Sequence, residues 1–435
     1  MKPVNIGLLG LGTVGGGTAA VLQDNAAEIS RRLGREVRIS AVCDLSEEKA
    51  RQTCPSAAFV KDPFELVARE DVDVVVELFG GTSIAKDAVL KAIENGKHIV
   101  TANKKLLAEY GNEIFPLAEE KNVMVQFEAA VAGGIPIIKA LREGLAANRI
   151  RSIAGIINGT SNFILSEMRE KGSAFADVLK EAQALGYAEA DPTFDIEGND
   201  AGHKITIMSA LAFGTPMNFP ACYLEGISKL DSRDIKYAEE LGYRIKLLGI
   251  TRKTDKGIEL RVHPTLIPES RLLANVNGVM NAVRVNADMV GETLYYGAGA
   301  GALPTASAVV ADIIDIARLI EANTDHRVPH LAFQPAQVQA QTILPMDEIT
   351  SSYYLRVQAK DEPGTLGQIA ALLAKENVSI EALIQKGVID QTTAEIVILT
   401  HSTVEKNVKR AIAAIEALSC VEKPITMIRM ESLHD

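Results

Sequence analysis

Apolar positions in the first part of the chain form short buried runs that alternate with longer amphipathic stretches. Val4–Leu9 is an apolar run that predicts a buried strand, and Thr18–Leu33 has the spacing of a helix. Further apolar runs, separated by predicted helices, cover Val72–Phe79, His98–Thr101 and Val123–Phe127. Strands this apolar, alternating with helices, are typical of a parallel sheet covered on both faces. The chain is therefore predicted to begin with an α/β domain.

A glycine loop follows the first predicted strand. Gly10-Leu-Gly12-Thr-Val-Gly15 stands between a strand and a helix, the order that a dinucleotide-binding fold requires. The three glycines would allow a sharp turn, close approach of a pyrophosphate and close packing of the helix, whose N–H groups face the anion. A second predicted strand, Val37–Val42, leads to Asp44 at the interval expected for a ribose-binding carboxylate. This context favours a dinucleotide site over a glycine-rich turn in another α/β fold.

Polar residues follow the later strands of this domain. Gly80-Gly81-Thr82, Thr101-Ala-Asn-Lys104 and Glu128 all lie at predicted carboxyl ends, where ligands of parallel sheets bind. Lys104 would face the cofactor crevice, although a lysine at a helix start is also common. Glu128-Ala-Ala-Val-Ala-Gly-Gly-Ile135 offers a carboxylate and backbone carbonyls, an oxygen set that suits a hard cation. Taken alone, this stretch is better interpreted as a plain glycine turn than as a cation site.

The pattern changes in the middle of the chain. Residues 131–299 mix strands with long helices and predict a second, α+β domain. The glycine-rich turn Gly297–Gly301 opens a predicted helix, Thr305–Leu319, that we expect to return to the first domain. We therefore assign residues 1–130, together with about 300–335, to the dinucleotide-binding domain.

The C-terminal part of the chain predicts a third domain. Residues 336–350 read as a proline-containing linker. Residues 351–435 show strands and helices in the order βαββαβ, which is typical of a ferredoxin-like sandwich. No residue pattern in this domain suggests catalytic chemistry.

Asp200 and Lys204 are the strongest candidates for chemistry outside the glycine loop. They stand four residues apart and would share one face of a helix. Such pairs are usually surface salt bridges. Here the helix continues through Ile205–Phe213 with almost no polar face, so it should be buried on most sides. Burial would lower the pKa of the lysine and suit it to proton transfer near neutral pH.

Glu189 is a second candidate carboxylate, shortly before Asp191-Pro192. Proline restricts the residue before it to an extended conformation, which would hold this acidic segment as a rigid arm. Beside Asp200 it could bind a substrate ammonium group. The alternative is an exposed loop acid.

Composition narrows the class of protein. The 435 residues are 47% hydrophobic and 23% charged, with a formal net charge of −11 and no basic run, which argues against nucleic-acid binding. A small molecule or a second copy of the chain is the expected partner. No apolar stretch is long enough for a transmembrane helix. Four cysteines without metal-type spacing suggest a reducing compartment, so we expect a cytoplasmic protein.

These motifs together resemble homoserine dehydrogenase, in its monofunctional bacterial form with a C-terminal ACT domain. The likeness runs over nearly the whole chain and rests on Gly10–Gly15, Glu77–Gly81, Thr101–Lys104, Asn158–Asn162, Gly186–Pro192, Asp200–Lys204 and Gly297–Ser307. It implies a Rossmann-type domain, a domain for catalysis and dimerisation, and a ferredoxin-like ACT domain. The implied reaction is hydride transfer between NAD(P)H and L-aspartate 4-semialdehyde, which gives L-homoserine on the route to threonine and methionine.

The resemblance also implies roles for single residues. Lys204 would be the proton donor, Lys104 would orient substrate and nicotinamide, and Glu189 with Asp200 would hold the ammonium group. The implied cofactor contacts, beyond the motif glycines and Asp44, are Thr13, Val14, Lys104, Gly186 and Gly301. A sodium ion would bind the Glu128 side chain and the carbonyls of Val131, Gly133 and Ile135.

One departure leaves the cofactor open. Family members that prefer NADP usually carry an arginine directly before the aspartate that ends the second strand, whereas this chain has Cys43-Asp44. Asp44 favours a free ribose 2′-hydroxyl, while Lys49 or Arg51 could still reach a phosphate. NAD, NADP and dual use are all retained.

The implied ACT domain suggests regulation. Asp361, Gly364 and Asn377 fall in its expected effector-binding turns. Inhibition by L-threonine and a homo-oligomer, dimer or tetramer, are expected, with a constitutive oligomerisation module as the alternative. Two rival functions also remain at this point: reduction of another small aldehyde or sugar, and a non-catalytic sensor of dinucleotide and amino acid.

Overall fold

The computed structural model describes residues 2–322, 327–390 and 393–433. Its chain divides into two compact units, each assembled from separate segments. The first unit comprises Met1–Gly159, Gly202–Cys222 and Met280–Gln341; the second comprises Thr160–Ala201, Tyr223–Val279 and Thr342–Asp435. Residue 1 of the predicted first domain, residues 323–326 of its predicted returning segment, and residues 391–392 and 434–435 of the predicted third domain lie outside the described residues. The domain boundaries inferred from the sequence remain a prediction.

Strands and helices alternate over most of the chain. The strands are β1 (Val4–Leu9), β2 (Val37–Cys43), β3 (Ala58–Val60), β4 (Val74–Glu77), β5 (His98–Thr101), β6 (Val125–Gln126), β7 (Ile150–Ile156), β8 (Tyr223–Leu224), β9 (Tyr243–Thr254), β10 (Gly257–Pro268), β11 (Met280–Ala287), β12 (Gly291–Ala298), β13 (Thr350–Lys360), β14 (Ile380–Asp390), β15 (Thr393–Thr400), β16 (Thr403–Val404) and β17 (Val421–Met430). The α-helices are α1 (Thr13–Asp24), α2 (Ala26–Leu33), α3 (Glu47–Thr53), α4 (Pro63–Ala68), α5 (Ser83–Glu94), α6 (Lys104–Glu120), α7 (Ile137–Lys139), α8 (Gly159–Lys171), α9 (Phe175–Ala184), α10 (Thr193–Ile196), α11 (Asn199–Phe213), α12 (Ser232–Glu240), α13 (Ala302–Leu319), α14 (Thr365–Lys375) and α15 (Glu405–Glu416).

A parallel six-stranded sheet in the order β3-β2-β1-β4-β5-β6 forms the core of the first unit. Apolar side chains of its strands pack with those of α1, α2 and α13 in one buried cluster. Gly17 on α1 allows α13 to approach, because a Cβ there would lie 2.7 Å from the carbonyl oxygen of Ala302. The predicted Rossmann-type domain is confirmed. The helix expected over Thr18–Leu33 is divided, because Asn25 leaves the helical conformation between α1 and α2.

Strands β12, β11 and β7 pair antiparallel in that order and complete the β-structure of the first unit. The turn after β12 leads into α13, and the end of β7 leads into α8. These two turns carry the glycine-rich and Asn-Gly-Thr motifs, so the sheet positions both.

The second unit contains a sheet in the order β9-β10-β17-β13-β15-β14. Its last four strands, with α14 and α15, follow the chain order βαββαβ and pair antiparallel. The buried cluster around Tyr353, Ile369 and Val408 fills the space between this sheet and its helices. The predicted ferredoxin-like fold is confirmed. None of the described helices is long and apolar enough to cross a membrane.

Candidate active site

The glycine loop of the first unit has the geometry that a pyrophosphate needs. Gly10 has a φ of 95°, a left-handed conformation that favours glycine, and its N–H donates to the carbonyl of Cys43 at 2.8 Å. A Cβ on Gly15 would lie 2.0 Å from the carbonyl oxygen of Gly10, so only glycine permits this packing. A Cβ on Gly12 would meet no atom within 4 Å. The N-terminus of α1 therefore faces open space at Gly12, where an anion can approach.

Asp44 lies directly beside this loop. Its carboxylate accepts hydrogen bonds from the N–H of Leu11 at 2.7 Å and of Ser46 at 3.0 Å. Partial burial acts to raise its pKa, but these backbone hydrogen bonds outweigh burial and the net pKa is lowered. Asp44 is therefore a carboxylate at the end of β2. Thr13 and Val14 begin α1 at the same edge of the sheet.

Cys43 is not a candidate nucleophile. Its side chain is 3% exposed, and burial, with a further contribution from the charge of Asp44, raises its pKa to about 11. A thiol in this state is almost entirely protonated at neutral pH. Aldehyde oxidation through a thioester therefore finds no support at this loop.

Lys104 is the first residue of α6, just past the end of β5. Asn103 caps the helix, since its Oδ1 accepts from the N–H of Leu106 at 3.0 Å. The same side chain donates through Nδ2 to the carbonyl of Gly81 at 2.8 Å. The turn directly before Lys104 is therefore hydrogen-bonded to the loop after β4.

Lys204 is 8% exposed, on a helix whose following residues are all buried. Its Nζ donates to the carbonyl oxygen of Ile157 at 2.7 Å, directly after β7. The amine is therefore held inside the first unit rather than in bulk water.

Two contacts link α6, which carries Lys104, to the segment that carries Lys204. The Asn112 side chain exchanges two hydrogen bonds with the backbone of Met217, at 2.8 and 2.9 Å. The buried His203 ring packs against Phe219 with centroids 4.1 Å apart, and its Nε2 lies 3.9 Å from a carboxylate oxygen of Glu109. His203 therefore helps to fix α11 against α6.

The predicted substrate carboxylates differ in exposure. Asp200 is 2% exposed in the first turn of α11, whereas Glu189 is exposed in the segment after α9. The turn into this segment begins at Gly186, whose φ is 76°. Pro192 directly precedes α10, and Asp191 accepts from the N–H and hydroxyl of Thr193 at 3.1 and 2.6 Å. These bonds order the acidic segment within the second unit.

The Asn-Gly-Thr-Ser-Asn motif anchors that acidic segment. The hydroxyl of Thr160 is 2.7 Å from the carbonyl of Tyr187 and 3.1 Å from a carboxylate oxygen of Asp195. The Asn162 amide donates to the carbonyls of Val276 and Gly278 at 3.2 and 2.9 Å. Sequence reasoning found the motif through the family resemblance, but it did not assign these anchoring roles, because they depend on partners distant in sequence.

The Glu128 loop is buried and irregular. Both carboxylate oxygens of Glu128 accept 2.8 Å hydrogen bonds, from the N–H groups of Ile138 and Lys139, and burial raises the pKa of this side chain. Gly133 has a φ of 46°, and a Cβ there would lie 2.6 Å from the carbonyl oxygen of Gly299. Gly133 and Ile135 are thus packed beside the 297–301 turn, whereas Val131 directly follows the short helix Glu128–Ala130. Gly301, with a φ of 125°, directly precedes α13. Among the described residues, no cluster of three or more His, Cys, Asp or Glu side chains is arranged for a metal ion.

The predicted effector residues lie at both ends of α14. Gly364, with a φ of 95°, precedes the helix, and Asn377, with a φ of 57°, follows it. The carboxylate of Asp361 accepts from the amide of Gln385 at 3.1 Å. A shallow pocket is lined by the 360–366 turn, Gln385 and Ile396.

Comparison with known proteins agrees with this architecture. Residues 10–128 match the family described as "Homoserine dehydrogenase, NAD binding domain", residues 136–314 match "Homoserine dehydrogenase", and residues 353–420 match "ACT domain". A curated homoserine dehydrogenase of Neisseria gonorrhoeae is 94% identical over 435 residues, with 100% of both chains covered.

Solved structures show the same likeness. A homoserine dehydrogenase from Thiobacillus denitrificans superimposes with a TM-score of 0.95 at 61% identity, covering 100% of this chain and 99% of that one. A hyperthermophilic archaeal homoserine dehydrogenase in complex with NADPH has a TM-score of 0.61 at 30% identity, covering 74% of this chain and all of that one.

The fold and the matched domains define a dinucleotide-binding oxidoreductase with a C-terminal ACT domain. More specifically, the chain belongs to the homoserine dehydrogenase family.

Proposed function

We propose that this chain interconverts L-aspartate 4-semialdehyde and L-homoserine by reversible hydride transfer, on the route to threonine and methionine. The observation that carries the proposal is the Lys204 amine on the buried helix α11, 8% exposed and held 2.7 Å from a backbone carbonyl, in a chain of this family. The nicotinamide ring, when bound, supplies or accepts the hydride.

Lys204 is the proposed proton donor. An aldehyde that accepts hydride develops negative charge on its oxygen, and an ammonium group within hydrogen-bond reach both stabilises and protonates that oxygen. In the reverse direction the neutral amine takes the proton from the hydroxyl of homoserine. We assign the orientation of substrate and nicotinamide to Lys104, because α6 begins at the carboxyl edge of the sheet.

Glu189 and Asp200 are the proposed partners of the substrate ammonium group. Asp200 stands one helical turn before Lys204 on α11, so the two side chains share a face of that helix. A buried carboxylate one helical turn from the Lys204 amine would favour binding of an amino-acid aldehyde over a neutral sugar. The membership in a dehydrogenase family sets the non-catalytic sensor aside.

The residues present fit a nicotinamide dinucleotide, whose pyrophosphate would lie on Gly12, Thr13 and Val14, with Gly186 and Gly301 as further contacts. Asp44 is a carboxylate that suits a free ribose 2′-hydroxyl. Arg51, one of the cations that could reach a 2′-phosphate, already pairs with Glu47. The archaeal relative nevertheless binds NADPH. We therefore propose NAD and NADP as alternative cofactors, and parallel initial rates with each would decide between them.

The buried acidic side chains at the Glu128 loop would favour binding of a sodium ion there. Asp312 accepts from the N–H of Glu128 at 2.8 Å, and burial and the charge of Glu128 raise the pKa of Asp312. A cation held by Glu128 and the carbonyls of Val131, Gly133 and Ile135 would offset these buried acids. If it binds, added Na⁺ should raise the melting temperature of the wild type and not of Glu128→Gln.

We propose that the ACT domain binds L-threonine in the pocket lined by Asp361 and Gly364, and that binding inhibits the enzyme. Asn377, at the other end of α14, stays a predicted effector residue. The chain is proposed to act as a cytoplasmic homo-oligomer. Rates with and without threonine, in the wild type and in Gln385→Ala, would test the effector site: loss of inhibition with unchanged basal turnover supports it, and full inhibition contradicts it.

The central experiment removes the proposed proton donor. Lys204→Ala should lower turnover with homoserine by about two orders of magnitude or more while cofactor affinity stays nearly intact. Lys105→Ala, which removes an exposed lysine, is the control. Comparable turnover in Lys204→Ala, or a clear preference of the wild type for a substrate without an amino group, would contradict the proposal.

A further inference from the structure

A buried carboxylate outside the predicted site stands at the end of β4. Glu77 is 0% exposed and pairs in register with Leu9 of β1 and Thr101 of β5. It is therefore at the centre of the carboxyl edge of the parallel sheet, the edge that carries the glycine loop and Lys104. Burying a carboxylate costs free energy unless it is fully hydrogen-bonded.

Three groups donate hydrogen bonds to Glu77. These are the hydroxyl of Thr101 at 2.5 Å, the N–H of Phe79 at 2.8 Å and the side-chain amide of Asn103 at 3.5 Å. Thr101 belongs to the neighbouring strand β5, Phe79 belongs to the loop directly after β4, and Asn103 is the helix cap before Lys104. Glu77 therefore joins the loop after β4 to the turn after β5.

The direction of each bond is determined by the rest of the network. The Thr101 oxygen accepts from the N–H of Asn103 at 3.0 Å, so its proton points to Glu77. The Oδ1 of Asn103 accepts from the N–H of Leu106, so its NH₂ group is the one that faces Gly81 and Glu77. Every hydrogen-bond partner of the Glu77 side chain is therefore a donor, so both oxygens of Glu77 must act as acceptors.

We propose that Glu77 is a positioning residue that holds the 101–104 turn, and with it Lys104, against the loop after β4. The inference rests on the proposed role of Lys104 in the reaction. The Lys104 N–H donates to the carbonyl of Ala102 at 3.1 Å, so the backbone of the lysine is part of the same turn. A displacement of this turn would move the Lys104 amine relative to the nicotinamide and the substrate.

Glutamine is the informative replacement. Glu77→Gln keeps size and shape but places an NH₂ group opposite one of the three donors, which must then turn away. A residue that merely fills the core would tolerate this change with a loss of stability alone. A positioning residue would lose turnover in protein that still folds and still binds cofactor.

The test is a double-mutant cycle on homoserine oxidation with wild type, Glu77→Gln, Lys104→Ala and the double variant, measured above pH 8. Glu77→Gln should lower kcat by about tenfold or more while cofactor Kd changes by less than about twofold. In the Lys104→Ala background the same change should add less than about twofold, because residues that act through one group are not additive. Lys105→Ala serves as the matched lysine control.

The outcomes separate the two hypotheses. Full turnover in Lys104→Ala would overturn the proposed role of Lys104 itself. If Lys104→Ala loses most of its kcat and adding Glu77→Gln lowers kcat by the same factor as in the wild type, only the Glu77 inference is overturned. Normal kcat in a folded Glu77→Gln variant would overturn it as well. If Glu77→Gln does not fold, Asn103→Ser decides: serine can still cap α6 but lacks the amide that faces Glu77. It should show the same loss of kcat, and normal kcat would overturn the inference.

Discussion

Buried charges are stabilised in two different ways in two regions of this molecule. At the carboxyl edge of the first sheet, the hydrogen-bond partners of Glu77 are neutral, and burial raises its pKa to about 7. At the pairing of β10 with β17 in the second unit, Glu431 is also buried but accepts from Arg261 at 2.6 Å and from Arg252 at 2.9 Å. Burial acts to raise the pKa of Glu431, but the two arginines outweigh it and the pKa is lowered.

The β10–β17 region repeats this arrangement. Arg429, which is 0% exposed, donates two hydrogen bonds to the carboxylate of Glu405, both at 2.7 Å, and one to Glu225 at 2.6 Å. Burial acts to lower the pKa of Arg429, but its pairing with Glu405 and Glu225 outweighs burial and the pKa is raised. A carboxylate with neutral partners can change its protonation near neutral pH. The comparison teaches that the type of partner, and not burial alone, decides which buried groups can respond to their surroundings.

The largest expected effect comes from removing the arginine of a buried ion pair. Arg429→Met should reduce the free energy of unfolding by about 3–5 kcal/mol, because it leaves the buried Glu405 carboxylate with the partly exposed Lys409 in place of a buried arginine. Urea unfolding followed by circular dichroism measures this change. Arg31→Met, which breaks the exposed pair with Glu28, should cost less than about 1 kcal/mol. Equal losses in the two variants would remove the contrast between buried and exposed pairs.

Lys246 tests whether partner type matters more than region. It lies in the second unit, 2% exposed, and donates to neutral oxygens of Val276, Asn162 and Asn277. Burial, with the charges of Arg169 and Arg244, lowers its pKa to about 7. Since the folded pKa lies below the unfolded one, its contribution to stability should rise by about 3 kcal/mol between pH 7 and pH 9.5. The measurement is the wild-type minus Lys246→Met difference in unfolding free energy, and a flat difference would contradict the expectation.

The contribution of Glu77 to the free energy of unfolding should change with pH in the opposite direction. Its folded pKa of about 7 lies above the unfolded value, so its neutral form favours the folded state at low pH and that contribution is lost as pH rises through 7. Between pH 5 and pH 8 the wild-type minus Glu77→Gln difference should fall by about 2 kcal/mol. A difference that grows over this interval would show that the hydrogen bonds from Thr101 and Phe79 outweigh burial.

Glu431 should show the smallest effect in the same interval. Its folded pKa is lowered, so its contribution is already complete above the unfolded pKa and is lost only as pH falls through the folded pKa. The wild-type minus Glu431→Gln difference should therefore be flat between pH 5 and pH 8 and should decrease only in acid. If the difference for Glu431 fell between pH 5 and pH 8 as it does for Glu77, the arginine partners of Glu431 would not distinguish it from Glu77.

Regularity along the chain explains which parts of the fold could be predicted. Apolar strands that alternate with helices, and the βαββαβ order of the last domain, are local patterns, so both sheets were predicted and confirmed. The segment between β2 and β4 was not predicted, because β3 has only three residues and α3 and α4 are short. The break at Asn25 was missed because the apolar spacing continues across it.

The sequence by itself determined the fold class, the glycine loop and the identity of the groups that could carry out chemistry, because these depend on residue types at fixed short spacings. Only the tertiary structure decided the surroundings of those groups. Arg261 and Arg429 would ordinarily be expected at the surface, yet both are buried, and their carboxylate partners include residues as distant as Glu431 and Glu225. The reason is physical: the ionisation of a buried group depends on partners within about 4 Å, and strand pairing brings these together from distant parts of the chain.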